Sequence, residues 1–239
     1  MSSGNHAAAV SLAARMQGIR AYIAMPETAP GAKKRAVASY GGQITFCANI
    51  EALTETARRI QEETESILIH PFDDPQVIAG QGTAALELLA DAPDLDVMIA
   101  PISGGGLLSG TCIAAVGIHP EMKLFGAEPI IASDAHRSLR AGHLLTDGVG
   151  NTIADGLRAT LSERTFAILG RHLTDIVTVS EAEIIDVTKQ IWQRMKIVVE
   201  PSGAVPLAAI FAKPEYFTGK RVGVILSGGN VDMDHLPWQ

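Results

Sequence analysis

Cysteine is scarce in this chain, and positive charge does not dominate it. Only Cys47 and Cys112 occur in 239 residues, which is too few for a disulfide framework. A reduced, cytoplasmic protein is therefore expected, in which both thiols pack as small apolar groups. The formal net charge of −7 argues against a nucleic-acid surface.

The sequence also shows no secretory leader pattern, because no basic region precedes an apolar core at its start. One uncharged stretch, residues 97–118, is long enough to span a bilayer. Pro101 and three consecutive glycines interrupt it, and an interrupted helix is costly in lipid. We therefore interpret the stretch as a buried strand, a loop and a helix, and expect no membrane role. We find no internal repeat and no low-complexity segment.

A glycine-rich loop at residues 103–110 is the feature around which the chain is organised. An apolar run, residues 97–102, precedes it, and helix-compatible residues 111–116 follow. Glycines allow a tight turn and a close approach to a ligand, and the following helix directs its positive end to the same point. The loop predicts a cradle for an oxyanion, with phosphate the first candidate. A plain strand–turn–helix connection is the alternative, and the absence of a following lysine argues against a nucleotide P-loop.

Hydrophobic periodicity predicts alternating strands and helices along the chain. The predicted strands are 19–25, 43–47, 67–69, 97–102, 123–127, 175–179 and 221–226. The predicted helices are 7–17, 32–40, 51–65, 76–89, 111–116, 133–141, 162–170, 181–194 and a last one that follows residues 200–203 and ends near residue 212. Ser180-Glu181-Ala182-Glu183 is a capping-box pattern. The alternation predicts an α/β fold of parallel sheets covered by helices. A breaker-rich loop at 70–75 places the boundary between a smaller lobe, 1–72, and a larger lobe, 73–239.

Seven short segments occur in the order typical of one enzyme family. They are residues 2–6 (SSGNH), 70–83 (HPFDDP with IAGQGT), 103–107 (SGGGL), 128–129 (EP), 153–156 (IADG), 200–203 (EPSG) and 226–230 (LSGGN). Together they resemble the serine racemase and threonine (serine) dehydratase family. Its members are pyridoxal 5′-phosphate (PLP) enzymes of fold type II, the tryptophan synthase β type. The resemblance covers the whole chain and implies two lobes with twisted parallel sheets and helices on both faces.

The resemblance implies roles for individual residues. Asn5 would hydrogen-bond the ring hydroxyl of PLP, and Ser227 would face its pyridine nitrogen. A neutral hydroxyl at this nitrogen does not favour a protonated ring, so PLP would be a weaker electron sink. Such a cofactor suits α-proton abstraction coupled to early loss of a β-hydroxyl. Substrate carboxylate recognition would use backbone N–H groups near residues 2–5. The phosphate cradle would comprise Ser103, Gly104, Gly105, Gly106 and Leu107, with Ser103 standing where the family usually has a fourth glycine.

Two further assignments have structural alternatives. Ser3 resembles the serine that serves the substrate face opposite the lysine in racemases of this family, although a helix N-cap or loop residue is the other interpretation. Glu128 and Asp134, with the backbone carbonyl of Ala132, resemble a Mg²⁺ or Ca²⁺ site, since hard cations favour such oxygens. Taken alone, the two carboxylates are an acidic pair on a solvated face.

The lysine that binds PLP covalently in this family lies upstream of the SSGNH segment, and no lysine of this chain stands in that setting. Lys33 and Lys34 are interpreted as solvated surface residues of a helix. The chain is therefore expected to correspond to the C-terminal three-quarters of a family member, with an incomplete smaller lobe. On this interpretation the chain lacks the lysine that the family's chemistry requires, and an inactive chain is an open alternative.

The expected function is that of a PLP-dependent serine or threonine ammonia-lyase, with 2-oxo acid and ammonia as products, or of a serine racemase. A hydroxyaspartate dehydratase is also open, and a homodimer is implied by the resemblance. One alternative is a non-catalytic PLP- or phosphate-binding remnant. Another is a dinucleotide-binding α/β domain, suggested by the near-match of Gly104, Gly106 and Gly110 to G-x-G-x-x-G, with Glu128 the nearest acidic candidate for a ribose.

Overall fold

A computed structural model describes residues 2, 4–49, 52–147 and 150–238. Within these residues the predicted strands and helices occur in their predicted order, apart from the strand predicted at residues 67–69. The elements are α1 (Asn5–Met16), β1 (Tyr22–Pro26), α2 (Gly31–Ser39), β2 (Gln43–Cys47), α3 (Ala52–Thr64), α4 (Pro75–Asp91), β3 (Val97–Pro101), α5 (Gly106–Ile118), β4 (Lys123–Pro129), α6 (Asp134–Ala141), α7 (Glu163–His172), β5 (Asp175–Val179), α8 (Glu181–Gln190), α9 (Pro201–Ala212) and β6 (Val222–Val224).

The chain forms two compact units. The first runs to Pro71 and takes in the tail segment Asn230–Pro237, and the second comprises Phe72–Gly229 and Trp238. The division predicted from the sequence, residues 1–72 and 73–239, differs from this grouping by Phe72 and by the tail segment. That the two units are functional lobes stays a prediction.

The second unit contains a four-stranded, fully parallel sheet in the order β5-β4-β3-β6. All five residues of β3 are buried, as expected for a central strand covered on both faces. Val97 and Ile99 pack with α8 and α9 in one core. Met98 and Ala100 pack with α4 and α5 in the other. Alternate side chains of one strand thus enter opposite cores, so helices cover both faces of the sheet.

The strand order reverses direction at β3. From β3 the chain proceeds to β4 and then β5 on one side, whereas β6 returns to pair with the other side of β3. In open α/β sheets, ligands bind outside the carboxyl ends of the strands where the order reverses. The glycine loop follows β3 and Ser227 follows β6, so both lie at this position.

The first unit contains a two-stranded parallel sheet, β1 and β2, with small cores. Ile23 and Met25 pack with residues of α1 and α2, whereas Ala24 packs with residues of α3. The strand predicted at residues 67–69 is wrong, because these residues form no strand and Ile67 is 89% exposed. Their apolar, β-branched composition favours a strand, but a strand also needs a neighbour for its backbone hydrogen bonds.

Other local predictions fare differently. The capping box of α8 is confirmed, since the Ser180 hydroxyl accepts from the Glu183 N–H and the Glu183 carboxylate accepts from the Ser180 N–H. Both cysteines are buried, as predicted, and burial raises the pKa of Cys112 to about 12.

The interpretation of Lys33 as a surface residue is wrong, because its exposure is 4%. Among the described residues, every helix is too short or too polar to cross a bilayer.

Candidate functional site

The glycine loop joins the carboxyl end of β3 to the first turn of α5. The Ile102 N–H donates to the Ala127 carbonyl at 2.9 Å, which fixes the start of the loop to the neighbouring strand. Gly105 caps α5 in the left-handed conformation, with φ +86°, which favours glycine. The first amides of a helix have no acceptor within the helix, and the first turn of α5 holds no acidic side chain. This arrangement suits an oxyanion.

Phe72 explains two of the loop glycines. A Cβ atom on Gly104 would overlap the Phe72 ring, and one on Gly106 would lie 2.8 Å from the Phe72 Cα and Cβ atoms. Contacts this short do not occur between real side chains, so glycine at both positions allows the loop to approach Phe72. The sequence analysis grouped Phe72 with a family segment but assigned it no role.

The start of α7 supports the middle of the loop. A Cβ atom on Gly105 would lie 2.8 Å from both the Leu161 Cδ2 and the Thr165 Cβ atoms. Thr165 is held there by a reciprocal cap, in which the Ser162 hydroxyl accepts from the Thr165 N–H and the Thr165 hydroxyl accepts from the Ser162 N–H. The sequence analysis missed this cap because its third helical residue is threonine rather than glutamate or glutamine.

The hydroxyl of Ser103 is used within the protein. It accepts from the Ala159 N–H at 3.0 Å and donates to the Ala159 carbonyl at 3.4 Å. It therefore ties the loop to the segment before α7. Ser103 can therefore offer an anion only its backbone N–H. A glycine, which the family usually has at this position, would offer the same group.

Ser227 is half-buried beyond the end of β6. A Cβ atom on Gly203, in the first turn of α9, would overlap the Ser227 carbonyl oxygen. The Glu200 N–H donates to the Gly228 carbonyl at 3.2 Å. The start of α9 thus fixes the backbone around Ser227. Since β6 pairs with β3, Ser227 and the glycine loop occupy adjacent positions at one edge of the sheet.

The remaining predicted cofactor residue belongs to the first unit. Asn5 begins α1, and its side-chain oxygen accepts from the Asn230 amide at 2.9 Å. His6 places Nε2 3.0 Å from the Ile69 carbonyl oxygen, consistent with a structural role. Ser3, the predicted catalytic residue, lies outside the described residues.

Glu128 and Asp134 are buried, so they do not form an acidic pair on a solvated face. Their exposures are 1% and 2%. The Glu128 carboxylate accepts from the Ala135 and His136 N–H groups, at 3.0 and 2.9 Å, and so closes the N-terminus of α6. Burial, with the neighbouring Asp134 charge as a further cause, raises the pKa of Glu128 to about 8. Burial also raises the pKa of Asp134 to about 6.

One oxygen of this pair lacks a partner. Asp134 Oδ2 is buried and has no hydrogen-bond partner among the described residues. The unsatisfied Asp134 oxygen is the atom of this pair that is free to bind a cation, and a metal site here stays a prediction. The described residues hold no group of three or more His, Cys, Asp and Glu side chains suited to a metal, so a backbone carbonyl would have to contribute.

Comparison with known proteins decides between the candidate families. The family model described as PALP, pyridoxal-phosphate dependent enzyme, matches residues 1–228. The chain belongs to this family. PALP enzymes depend on PLP, a cofactor whose phosphate suits the amides at the start of α5. The match favours this family over the alternative of a dinucleotide-binding α/β domain.

Relatives within the PALP family are similar over nearly the whole chain. It is 50% identical to a β-hydroxyaspartate dehydratase from Paracoccus denitrificans, over 99% of this chain and 76% of that protein. It is 46% identical to a serine racemase from Arabidopsis thaliana, over 98% of this chain and 73% of that protein.

Solved structures agree with the PALP assignment. Maize serine racemase superposes with a TM-score of 0.94 at 44% identity, covering 98% of this chain and 73% of that one. A threonine deaminase from T.th. gives a TM-score of 0.92 at 44% identity, covering 97% of this chain and 77% of that one. The predicted α/β architecture of PLP fold type II is thus confirmed. The roles of the individual site residues stay predictions.

Proposed function

We propose that this protein is a PLP-dependent enzyme acting on small β-hydroxy amino acids, either as an ammonia-lyase that releases a 2-oxo acid and ammonia or as a serine racemase. The observation that carries the proposal is the amide-rich start of α5 at the point where the strand order reverses, in a chain of the PALP family. The relatives at 46–50% identity are named as a β-hydroxyaspartate dehydratase and a serine racemase, which supports this substrate class.

The cofactor would be held mainly by backbone. The N–H groups of residues 103–107 would bind its phosphate, the Ser227 hydroxyl would face its ring nitrogen, and Asn5 would face its ring hydroxyl. PLP supplies the electron sink that makes the α-proton of an amino acid acidic. A serine hydroxyl at the ring nitrogen, in place of a carboxylate, favours early departure of a β-hydroxyl.

The substrate would be held by the loop at residues 2–5, whose backbone N–H groups suit a carboxylate. Ser3 would hold or accept a proton at one face of the substrate α-carbon, and a serine hydroxyl needs a neighbouring charge for that role. The Glu128 and Asp134 carboxylates with the Ala132 carbonyl would bind Mg²⁺ or Ca²⁺, and the unsatisfied Asp134 Oδ2 supports this proposal. A homodimer and a cytoplasmic location stay predictions.

The first test of this function is cofactor binding. PLP and inorganic phosphate are titrated calorimetrically into the purified chain, with NAD as the control ligand. We expect PLP and phosphate to compete for one site and NAD not to bind. Failure of both PLP and phosphate to bind would contradict the proposal. Because no lysine of the chain stands in the family motif, we expect no imine absorption band at about 410–420 nm.

The second test is product formation from L-serine, L-threonine and 3-hydroxyaspartate. For the protein extended upstream to include the family lysine motif, we expect the imine band together with a 2-oxo acid and ammonia, or D-serine by chiral chromatography. Ser227→Ala should lower elimination about 10- to 100-fold, because a hydrogen bond at the ring nitrogen is lost. An imine band in the present chain that disappears on substitution of one of its own lysines would overturn the expectation about lysine.

A further inference from the structure

Arg164 joins the start of α7 to the segment that precedes α4. Its Nη1 atom donates to the Asp73 carbonyl oxygen at 2.8 Å and to the Asp73 carboxylate at 2.7 Å. The two residues are 91 positions apart in the chain, and both belong to the second unit. Their side chains are 44% and 36% exposed, and an exposed ion pair usually adds little to stability. The hydrogen bond to the carbonyl is the informative part, because it fixes the main chain at Asp73.

The residue after Asp73 is fixed as well. Asp74 caps α4, and its carboxylate accepts from two N–H groups of the first turn of that helix, at 2.7 and 3.2 Å. Two consecutive residues are thus held, one by Arg164 and one by α4. Phe72 immediately precedes them, so the direction in which the main chain leaves Phe72 is set by these contacts.

Phe72 in turn lies against the glycine loop. A Cβ atom on Gly106 would lie 2.8 Å from the Phe72 Cα and Cβ atoms and 3.2 Å from the Phe72 carbonyl oxygen, and one on Gly104 would overlap the Phe72 ring. The contact with Gly106 involves the main chain of Phe72, so a rotation of the Phe72 side chain cannot relieve it. A shift of the main chain at Asp73 would therefore displace the loop.

The same end of α7 also supports the loop directly. Thr165, the residue after Arg164, lies against Gly105, since a Cβ atom on Gly105 would lie 2.8 Å from the Thr165 Cβ atom. The first turn of α7 thus reaches the loop both through Thr165 and through Arg164. Groups that bind a ligand must be held to within about 0.5 Å of their productive positions by the residues around them. Arg164 is placed to supply part of that support.

We propose that Arg164 is a positioning residue for the phosphate group of the cofactor. Its two hydrogen bonds to Asp73 hold Phe72 against the glycine loop and so fix the N–H groups of this loop before an anion arrives. The inference rests on the proposed function, in which residues 103–107 bind the phosphate. It assigns part of the phosphate affinity to a residue that acts through Phe72.

The first test compares Arg164→Met with Arg221→Met in the full chain. Arg221 is the matched control, because its guanidinium forms an equally exposed ion pair with Asp94 in the same unit. Inorganic phosphate is the probe, and its dissociation constant is measured by calorimetry. We expect Arg164→Met to weaken phosphate binding about 5- to 20-fold, Arg164→Lys to restore part of the lost affinity, and Arg221→Met to change it less than about twofold.

Asp73→Ala separates the effect of position from the effect of charge, and it serves as the test if Arg164→Met does not fold. The substitution removes a negative charge, so a purely electrostatic influence on the loop would make phosphate bind more tightly. Positioning predicts the opposite, and we expect phosphate binding to weaken about 2- to 5-fold, since the hydrogen bond to the Asp73 carbonyl remains. Unchanged or tighter binding would contradict the proposal.

A double substitution tests whether Arg164 acts through Phe72. In the Phe72→Ala background, Arg164→Met should weaken phosphate binding less than about twofold further, because residues that act as one unit give non-additive effects. The full effect of Arg164→Met in both backgrounds would show that Arg164 does not act through Phe72, and the proposal would be wrong.

Three further outcomes separate this inference from the proposed function. Equal phosphate binding by Arg164→Met and the unsubstituted protein would overturn the inference alone. A lower urea midpoint of Arg164→Met with unchanged phosphate affinity would mean that the ion pair is only structural, which also overturns it. If the unsubstituted protein binds neither phosphate nor PLP, the proposed function is wrong and this inference is wrong with it.

Discussion

Three successive glycines meet different demands in the loop that opens α5. Gly105 needs its left-handed backbone, whereas Gly104 and Gly106 need space against Phe72. The sequence pattern predicted an anion cradle, because glycines followed by a helix suffice for that prediction. It could not show the packing against Phe72, since that contact joins residues about 30 positions apart. The surface position predicted for Lys33 was wrong for a related reason, because a basic run on a helix does not reveal which of its members is buried.

Substitution of Gly105 tests the loop at this scale. Gly105→Ala places a side chain in the left-handed region and against Leu161 and Thr165, so we expect it to lower the free energy of unfolding by about 2–4 kcal/mol. Gly117→Ala is the matched control, because Gly117 lies in the same helix with open space around it. It should change stability by less than about 1 kcal/mol. Equal urea midpoints for the two variants would contradict this account.

At the scale of elements, strong local signals were predicted well. The bounds of β2 and β5 agree with the predicted ranges to the residue, because turn residues flank each apolar run. Residues 67–69 carry an equally strong strand signal and form no strand. A strand forms only where a neighbouring strand can share its backbone hydrogen bonds. The composition of a segment does not show whether such a strand is present. The same limit applies to β6, which is shorter than the strand predicted at residues 221–226.

The crossing of α4 and α5 is a second feature of this scale, and it supports the start of α5. A Cβ atom on Gly110 would overlap the Ile78 carbonyl oxygen and lie 2.6 Å from the Gly82 nitrogen, and one on Gly82 would lie 2.8 Å from the Gly110 carbonyl oxygen. The two backbones are therefore in contact, and neither glycine can gain a side chain without moving the helices apart.

We expect Gly110→Ala to lower the free energy of unfolding by about 2–3 kcal/mol and to weaken phosphate binding, because α5 carries the loop. Gly80→Ala is its control, since Gly80 lies in α4 with nothing within 4 Å of its added methyl group. Urea denaturation and phosphate calorimetry on both variants provide the measurement. A Gly110 variant as stable as the Gly80 variant would show that the helices are not held by this contact.

At the scale of the whole molecule, the two units differ in how much core supports their sheets. The second unit has a four-stranded sheet between two cores. The first has two strands and smaller clusters. Chain order predicted the alternation and the boundary loop, yet not the grouping of Asn230–Pro237 with the first unit, because a returning tail has no signature in composition.

This difference predicts unequal opening, which hydrogen exchange can measure on two comparable strands. β2 and β5 are both five-residue edge strands, each with one parallel neighbour. β2 buries only Cys47, whereas β5 buries Ile176, Val177 and Val179. The free energy of the local opening that exposes an amide follows the packing around it. We therefore expect β2 amides to exchange at least about tenfold faster than those of β5.

Both tryptophans, Trp192 and Trp238, lie in the second unit. Their fluorescence in urea should therefore follow the protection of β5. Equal protection of the two strands would mean that the chain unfolds as one cooperative block, in which the smaller cores of the first unit have no separate consequence.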